Sequence, residues 1–244
     1  MKRTIDIICS FLGLVLFSPL LVPVMILVWL QDFHSPFYVA QRVAKDGGSF
    51  WMVKLRSMVV NADKSGVDST SLSDARITSI GQFIRKFKLD ELTQLWNVLK
   101  GDMSLVGPRP NVKRETDLYT TAEKELLSVK PGITDFSSIV FSDEGDILKD
   151  SKDPDIDYNQ LIRPWKSRLS LLYIKHQSLW LDFSLIFLTA VAIVSRQKAL
   201  KGVHKLLVII HAPEDVVRVA KREDKLSPSP PPGSDSIVTV RSSA

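Results

Sequence analysis

Residues 81–110 read GQFIRKFKLDELTQLWNVLKGDMSLVGPRP, a segment that brings adjacent carboxylates, a basic cluster and a stiff Gly-Pro turn together. Ile80, Phe83, Ile84 and Phe87 follow the i, i+3, i+4, i+7 spacing of a helix with one apolar face, which turns Arg85, Lys86 and Lys88 toward solvent or an anion. Leu92, Leu95, Trp96 and Leu99 repeat that spacing in a second helix, which Gly101 is placed to end, with Asp90 and Glu91 at its N-terminus. Two carboxylates thus sit beside three cations.

Such a pair has an ordinary reading. Asp90 serves as N-cap and Glu91 as first-turn acid, each favoured by the helix dipole by about 0.5–1 kcal/mol. The other reading is that the pair holds a hard divalent cation such as Mg²⁺, and that one carboxylate attacks a phosphorus atom while arginines neutralise the phosphate oxygens. The sequence has no GxGxxG, GxxxxGK[ST], HExxH or GxSxG, so any phosphate is bound without a P-loop.

The 244 residues suit one modest domain with accessory segments, and 45% hydrophobic residues are ample for a core. A mean hydropathy of +0.07 is high for a soluble domain. The net charge of +5 suits an anionic membrane surface, a phosphorylated substrate or nucleic acid. Nucleic acid fits poorly, because aromatic residues are not interleaved with the basic ones in a stacking pattern. Cys9 is the single cysteine, so no intrachain disulfide or cysteine-rich metal site forms, and a reducing, interior-facing compartment follows.

No charged side chain lies between Asp6 and Asp32. As a straight helix that stretch would be about 36 Å long, against a hydrocarbon core of about 30 Å. Its length, Pro19, Pro23 and the lack of a small-residue cleavage motif argue against a cleavable signal peptide. Lys2 and Arg3 precede it and Arg42, Lys45, Lys54 and Arg56 follow it, which pulls both ends to the cytoplasmic side. Pro19 removes a helical hydrogen bond and kinks the segment, with Ser18 available to satisfy freed backbone groups, so the segment is expected to enter and leave the bilayer by one face. An ordinary kinked spanning helix is the alternative.

Beyond residue 35, PFYVAQ and SFWMVKL flank Gly47-Gly48 as a hairpin. Arg56 either binds phosphate or joins a structural ion pair. Residues 61–75 read as a mobile loop beside the site, 111–128 as helix, and KPGITDF at 130–136 as a turn entering an extended segment. Asp143, Glu144 and Asp146 lack Ca²⁺-loop spacing and read as a solvated loop. The segment 151–176 is helical beyond Pro164, and His176 is structural, since no other histidine stands at a metal-binding spacing. The uncharged run Phe183 to Ser195 is too short to span a bilayer and suits a core or interfacial helix, with Trp180 as interfacial anchor or core residue. The proline-rich stretch from Ser227 has the composition of a disordered tail.

KLDELTQLWNVLKGDMSLVGPRP resembles the signature of the bacterial sugar transferase family, the monotopic polyprenyl-phosphate phosphoglycosyl transferases. KRTIDIICS at the start, Ser18-Pro19, Arg42 ahead of Phe50, KLRSM at 54–58, RIT at 76–78 and KPGIT at 130–134 agree in order, so the resemblance covers roughly residues 1 to 195. It implies an α-rich α/β catalytic domain at residues 35–200, seated on the membrane by a re-entrant helix at 1–34 and by interfacial helices. A C-terminal extension at 201–224 and a disordered tail at 225–244 complete the expected organisation.

The resemblance further implies transfer of a sugar 1-phosphate from a UDP-sugar to undecaprenyl phosphate, with release of UMP, at the cytoplasmic face of a bacterial inner membrane. Mg²⁺ is the implied cofactor, with Asp90 and Glu91 as its ligands. Asp90 is the implied nucleophile, forming a phosphosugar-aspartyl intermediate, and Glu91 helps hold the metal or steer protons. Arg85 and Arg109, and with them Arg56, are the implied phosphate-binding residues, while Gly107, Pro108 and Pro110 shape the loop that aims Arg109. Phe87-Lys88, Thr93, Ala44 and Asp135 depart from the family pattern and bear on sugar preference and loop geometry. A membrane-tethered basic binding module without turnover is the competing class, but it gives no role to the geometry between Asp90 and Arg109. The sequence leaves the sugar and the oligomeric state open, a homodimer included.

Overall fold

β-branched and aromatic residues on either side of Gly47-Gly48 form strands β1 (Phe37–Val43) and β2 (Ser49–Leu55), paired antiparallel from Phe37 opposite Leu55 to Val43 opposite Ser49. This register puts Tyr38, Ala40 and Arg42 on one face with Lys54, Met52 and Phe50. The computed structural model describes residues 1–62 and 74–239, so most of the loop expected at 61–75 lies outside the described residues. Ahead of the hairpin runs helix α1 (Lys2–Leu30). After it come α2 (Ser79–Lys86), α3 (Leu89–Leu92), α4 (Leu95–Lys100), β3 (Ser104–Val106) and α5 (Lys113–Thr116). Then follow β4 (Gly132–Thr134), α6 (Phe136–Val140), α7 (Glu144–Ile147), α8 (Pro154–Asp157), α9 (Arg163–Lys175), α10 (Leu179–Val194), α11 (Arg196–Ile209) and α12 (Glu214–Lys221). The molecule is helix-rich, with β3 and β4 forming a second, parallel pair.

The main core lies among α6, α9, α10, α11 and α12, centred on Phe136, Ile139, Leu169, Tyr173, Leu185 and Leu207. Residues 201–224 are therefore no appendage. Ala199, Leu200, Val203, Leu206 and Leu207 form a helical stripe in α11 that closes the core, a pattern wider than the short LLVII run alone suggests. The tail also differs from expectation. Arg168 Nη2 donates to the Pro230 carbonyl at 2.9 Å, Gln160 Nε2 to that of Val238 at 2.7 Å, and Thr120 Oγ1 to that of Pro232, so residues 230–238 are held by α9, by the turn before it and by Thr120. An extended proline-rich strand has little chain entropy left to lose and needs no backbone N–H to dock.

Helix α1 docks at both ends on this one domain. Near its start Lys2 Nζ pairs with Asp182 at 2.7 Å, Arg3 donates to the Leu99 carbonyl at 2.7 Å, and Asp6 accepts from the Leu105 N–H at 3.1 Å. Near its end Leu21, Val24 and Val28 pack against Leu55, Ile84 and Leu89 in a separate cluster. There the Arg56 guanidinium pairs with Asp32, one contact at 2.6 Å, and donates to the Ser35 carbonyl at 2.8 Å. The other face of α1, from Ile8 and Phe11 to Ile26 and Trp29, is exposed. Pro19 and Pro23 lie inside the helix without ending it. Pro19 leaves the Val15 carbonyl without its usual donor, and Ser18 Oγ supplies one at 2.8 Å.

Two helix faces depart from the expected burial. Phe83 and Phe87 are 46% and 41% exposed and stack on each other, while Gly81 and Ile84 face inward. Trp96 is 57% exposed, because the turn at Thr93-Gln94 splits the expected second helix into α3 and α4 and rotates its faces. Residues 111–128 likewise form only α5 and a 3₁₀ segment, Glu123–Ser128. That segment is fixed from within. Glu123 is fully buried, takes Arg163 at 2.6 and 3.1 Å, and accepts from Ser167 Oγ at 2.7 Å.

Removing one partner of a buried pair leaves the other charge without compensation, so Glu123→Ala should cost about 3–5 kcal/mol in a denaturation experiment. Replacing both Glu123 and Arg163 by apolar residues of similar volume should recover most of that loss.

Candidate active site

Three segments converge on Asp90 and Glu91. The first is β2, whose outer edge is sealed by α4. Asn97 accepts from the Val53 N–H at 2.9 Å and donates to the Trp51 carbonyl at 2.7 Å, standing in for a neighbouring strand. Thr93 Oγ1 adds a bond to the Val53 carbonyl at 3.2 Å. This seam places Lys54 Nζ 3.8 Å from Asp90 Oδ2. The second is the junction of α2 and α3, where Lys88 takes a left-handed conformation at φ 57°. For a non-glycine residue that conformation costs on the order of 1–3 kcal/mol, and such strain clusters where geometry is functional. Lys88, not Asp90, therefore occupies the N-cap position, and both acids stand in the first turn of α3.

The third is the loop after β3. Gly107 N–H donates to the Thr134 carbonyl at 2.9 Å, and Gly132 N–H to the Pro108 carbonyl at 2.8 Å. The two glycines approach so closely that a Cβ on Gly107 would lie 2.5 Å from the Lys130 carbonyl oxygen, and one on Gly132 2.1 Å from the Gly107 nitrogen. Held in this way, the loop projects Arg109, whose Nη1 meets Glu91 Oε1 at 3.0 Å.

The charges act on one another through a partly dehydrated space. Burial alone would raise the Glu91 carboxyl, but Lys88, Arg109 and Lys54 together bring it down to about 2. Burial, with Arg109 nearby, brings Lys54 down from 10.5 to about 8 despite Asp90 and Glu91. Arg109 is shifted upward, since Glu91 and then Glu144 outweigh its own burial. Arg85 is lowered mainly by burial, with Asp90 opposing, and its Nε donates to Ser57 Oγ at 2.9 Å. Asp90, Glu91, Arg85 and Arg109 are thus brought together with Gly107, Pro108 and Pro110, as the sequence suggests.

Arg56 is not among them. Buried and saturated by Asp32 and backbone carbonyls, it anchors the end of α1, so the ion-pair reading holds and phosphate binding does not. Ser18 and Pro19 lie in α1, apart from the carboxylates in sequence and in role. The acidic patch is solvated only at Asp146, which is exposed. Asp143 lies between Arg196 at 2.9 Å and Arg222 at 3.3 Å, while Glu144 pairs with Lys166. The sequence reading missed Lys54, Arg42, Glu144 and Lys166 as neighbours of the site. Arg42 and Lys54 were legible in principle, being at even spacing on opposite arms of the hairpin, whereas nothing local points Glu144 and Lys166 toward Arg109.

The donor set tests whether a metal fits. Asp90 and Glu91 offer hard carboxylate oxygens, and among the described residues they are not part of any group of three or more His, Cys, Asp or Glu that could hold a metal ion. Such an open, two-carboxylate set fits Mg²⁺, which keeps waters and substrate phosphates among its ligands.

A family model described as bacterial sugar transferase matches residues 1–196. The chain is 36% identical over 217 residues to an undecaprenyl-phosphate galactose phosphotransferase of Salmonella typhimurium, covering 82% of this chain and 41% of that protein. It is 34% identical over 191 residues to a UDP-N-acetylgalactosamine-undecaprenyl-phosphate N-acetylgalactosaminephosphotransferase of Aeromonas hydrophila, covering 77% of this chain and 42% of the relative. It is 36% identical over 148 residues to the exopolysaccharide production protein ExoY of Rhizobium meliloti, covering 54% and 66% respectively. The chain spans about two fifths of the length of the first two relatives. With the match running from the start of α1 through α10 and across every segment that meets at Asp90 and Glu91, the chain belongs to the bacterial sugar transferase family.

Proposed function

We propose that this protein transfers a sugar 1-phosphate from a UDP-sugar to undecaprenyl phosphate, giving undecaprenyl-diphosphate-sugar and UMP, the initiating membrane step of cell-surface polysaccharide or glycoconjugate synthesis. The single observation that carries the reading is the meeting of adjacent carboxylates with Lys54, Arg85 and Arg109, in a chain whose relatives are named for this transfer. A binding module would need the cations but not the acid pair at their centre.

In this mechanism a carboxylate oxygen of Asp90 bonds to the sugar-linked phosphorus of the donor while the P–O bond to UMP breaks, and UMP leaves with the electron pair. An oxygen of undecaprenyl phosphate then bonds to the same phosphorus and the aspartyl P–O bond breaks, restoring Asp90. Arg109 and Arg85 offset charge on the phosphoryl oxygens, and Lys54 keeps the nucleophile oriented. Glu91 holds Arg109 in place. Mg²⁺ bound beside Asp90 and Glu91 supplies charge that offsets the repulsion between an anionic nucleophile and an anionic donor.

The acceptor is a membrane lipid, and several exposed surfaces support a seat on the bilayer from one side. Besides the outer face of α1, these are Phe83 and Phe87 on α2, Trp96 on α4, and Trp180, Phe183 and Phe187 on α10. The exposure of Trp180 favours the interfacial over the core reading. A helix docked on one domain at both ends supports a re-entrant segment over a spanning one, and the flanking cations support a seat for that domain at the cytoplasmic face of the inner membrane.

Incubated with Mg²⁺ and a labelled UDP-sugar but no lipid, the protein should release UMP in a burst and retain labelled sugar phosphate on a peptide containing Asp90. Asp90→Asn should abolish both; no UMP release from any UDP-sugar by folded protein would overturn the assignment. Because Lys54 loses its proton as pH rises through about 8, kcat/KM should fall above that pH, and Lys54→Arg should remove that limb of the profile. For topology, single cysteines at positions 2 and 36 in a Cys9-free background should both be shielded from an impermeant reagent in intact cells. Labelling of position 2 alone would establish a spanning helix.

A further inference from the structure

The reaction above leaves unused a second carboxylate, that of Glu144, whose partner Lys166 lines the same cleft as Arg109. Glu144 opens α7 and accepts a hydrogen bond from Lys166 Nζ. After Glu91, it is the strongest influence raising Arg109. Burial would raise the Glu144 carboxyl, but Lys166, Arg109 and Lys88 hold it below its ordinary value, so it is an ionised acceptor at neutral pH. Lys166 Nζ in turn stands 5.4 Å from the centre of the Tyr158 ring. Arg109, Tyr158 and Lys166 line one cleft, together with Asn111 and Tyr119. The turn that bears Glu144 is fixed from behind, since Asp143 is gripped by Arg196 and Arg222.

This inference rests on the transferase reading. The group transferred is a phosphate joined through one oxygen to a sugar ring, so with the phosphate at Asp90 and Arg109 the ring must lie next to it. A neutral sugar offers hydroxyl donors around its edge and C–H groups on its faces. An ionised carboxylate that is not needed for the metal accepts two such hydroxyls, an ammonium donates to a third, and an aromatic ring packs against the C–H face. Lys166 and Tyr158, on the wall of the cleft that Arg109 lines, and Glu144, bonded to Lys166, supply this set. We propose that Glu144, oriented by Lys166 and flanked by Tyr158, accepts the hydroxyl groups of the donor sugar and determines which sugar is transferred.

The test uses the full chain, reconstituted with undecaprenyl phosphate and Mg²⁺, and reads UMP release from UDP-galactose, UDP-glucose and their N-acetylamino counterparts, pairs that differ in one hydroxyl's orientation. Glu144→Gln should keep the wild-type melting temperature, lower kcat/KM for the preferred donor by about 10- to 100-fold, and compress its preference over the epimer by about tenfold, as loss of a charged hydrogen-bond acceptor predicts. Its affinity for UDP alone should not change. An equal loss on all donors, or weaker binding of UDP, would overturn this role while leaving the transferase reading intact. A wild-type protein inactive with every donor would overturn both. If the Gln variant melts early, Glu144→Asp, which keeps the charge and shortens the reach, should still change the epimer ratio, and an unchanged ratio there would equally refute the proposal.

Discussion

The fastening of one long apolar helix to a single domain at both of its ends is the constraint on which the rest depends. Lys2, Arg3 and Asp6 make the first attachment and Asp32 with Arg56 the second. Each uses a charged group at the border between an apolar segment and a polar one, where an ion pair is partly shielded from water and so stronger than on an open surface. The Asp32 carboxyl, held by Arg56 and His34, lies at about 2, far from protonation under ordinary conditions. The helix thereby acts as part of the domain's wall. Leu55, Ile84 and Leu89, which it covers, lie immediately beside Lys54, Arg85 and Asp90. The long apolar helix and the carboxylate site are thus two faces of the same packing unit.

At that centre the interesting quantity is the balance of charge. Lys54, Arg85, Lys88 and Arg109 surround two carboxylates; burial, with neighbouring cations adding to it, depresses Lys54 and Arg85, while the cations hold Glu91 ionised. A site that carries surplus positive charge at a cost of desolvation is prepared for anions, because an arriving phosphate relieves the repulsion that the empty protein must bear. The strain at Lys88 and the backbone contact between Gly107 and Gly132 belong to the same account, since both hold cations where folding alone would not put them.

Much of this was legible in the sequence for a physical reason: Asp90, Glu91, Arg85 and Arg109 lie within one continuous segment whose turns are set by Gly101, Gly107 and the prolines. Local spacing carries such information well. It carried less where a face is decided by partners far away. Phe83 and Trp96 obey helical spacing and yet point outward, because the inward side is claimed by Ile84 and by Leu95 with Val98. Arg56 could not be assigned from residue type, since its partner Asp32 lies 24 positions earlier across a whole hairpin. The proline-rich tail read as disordered on composition, which counts donors and apolar groups in the tail but not the donors of Arg168, Gln160 and Thr120 that receive its carbonyls.

The pairing of Lys2 with Asp182 joins residues 180 positions apart. At a synthesis rate of about 5–20 residues per second, the first turn of α1 waits roughly 9–36 s for its partner to be made. Leu55, Ile84 and Leu89, which cover Leu21, Val24 and Val28, are made well before Asp182, so the far end of α1 gains its apolar cover first. The order of synthesis therefore sets an order of assembly: the hairpin and the segment 79–110 can close on the far end of α1 before the clasp at Asp182 forms, and α11 and α12 complete the core after it. An engineered version that delays α1, for example by moving it to the C-terminus, would have to fold the hairpin and the segment 79–110 with that apolar wall missing.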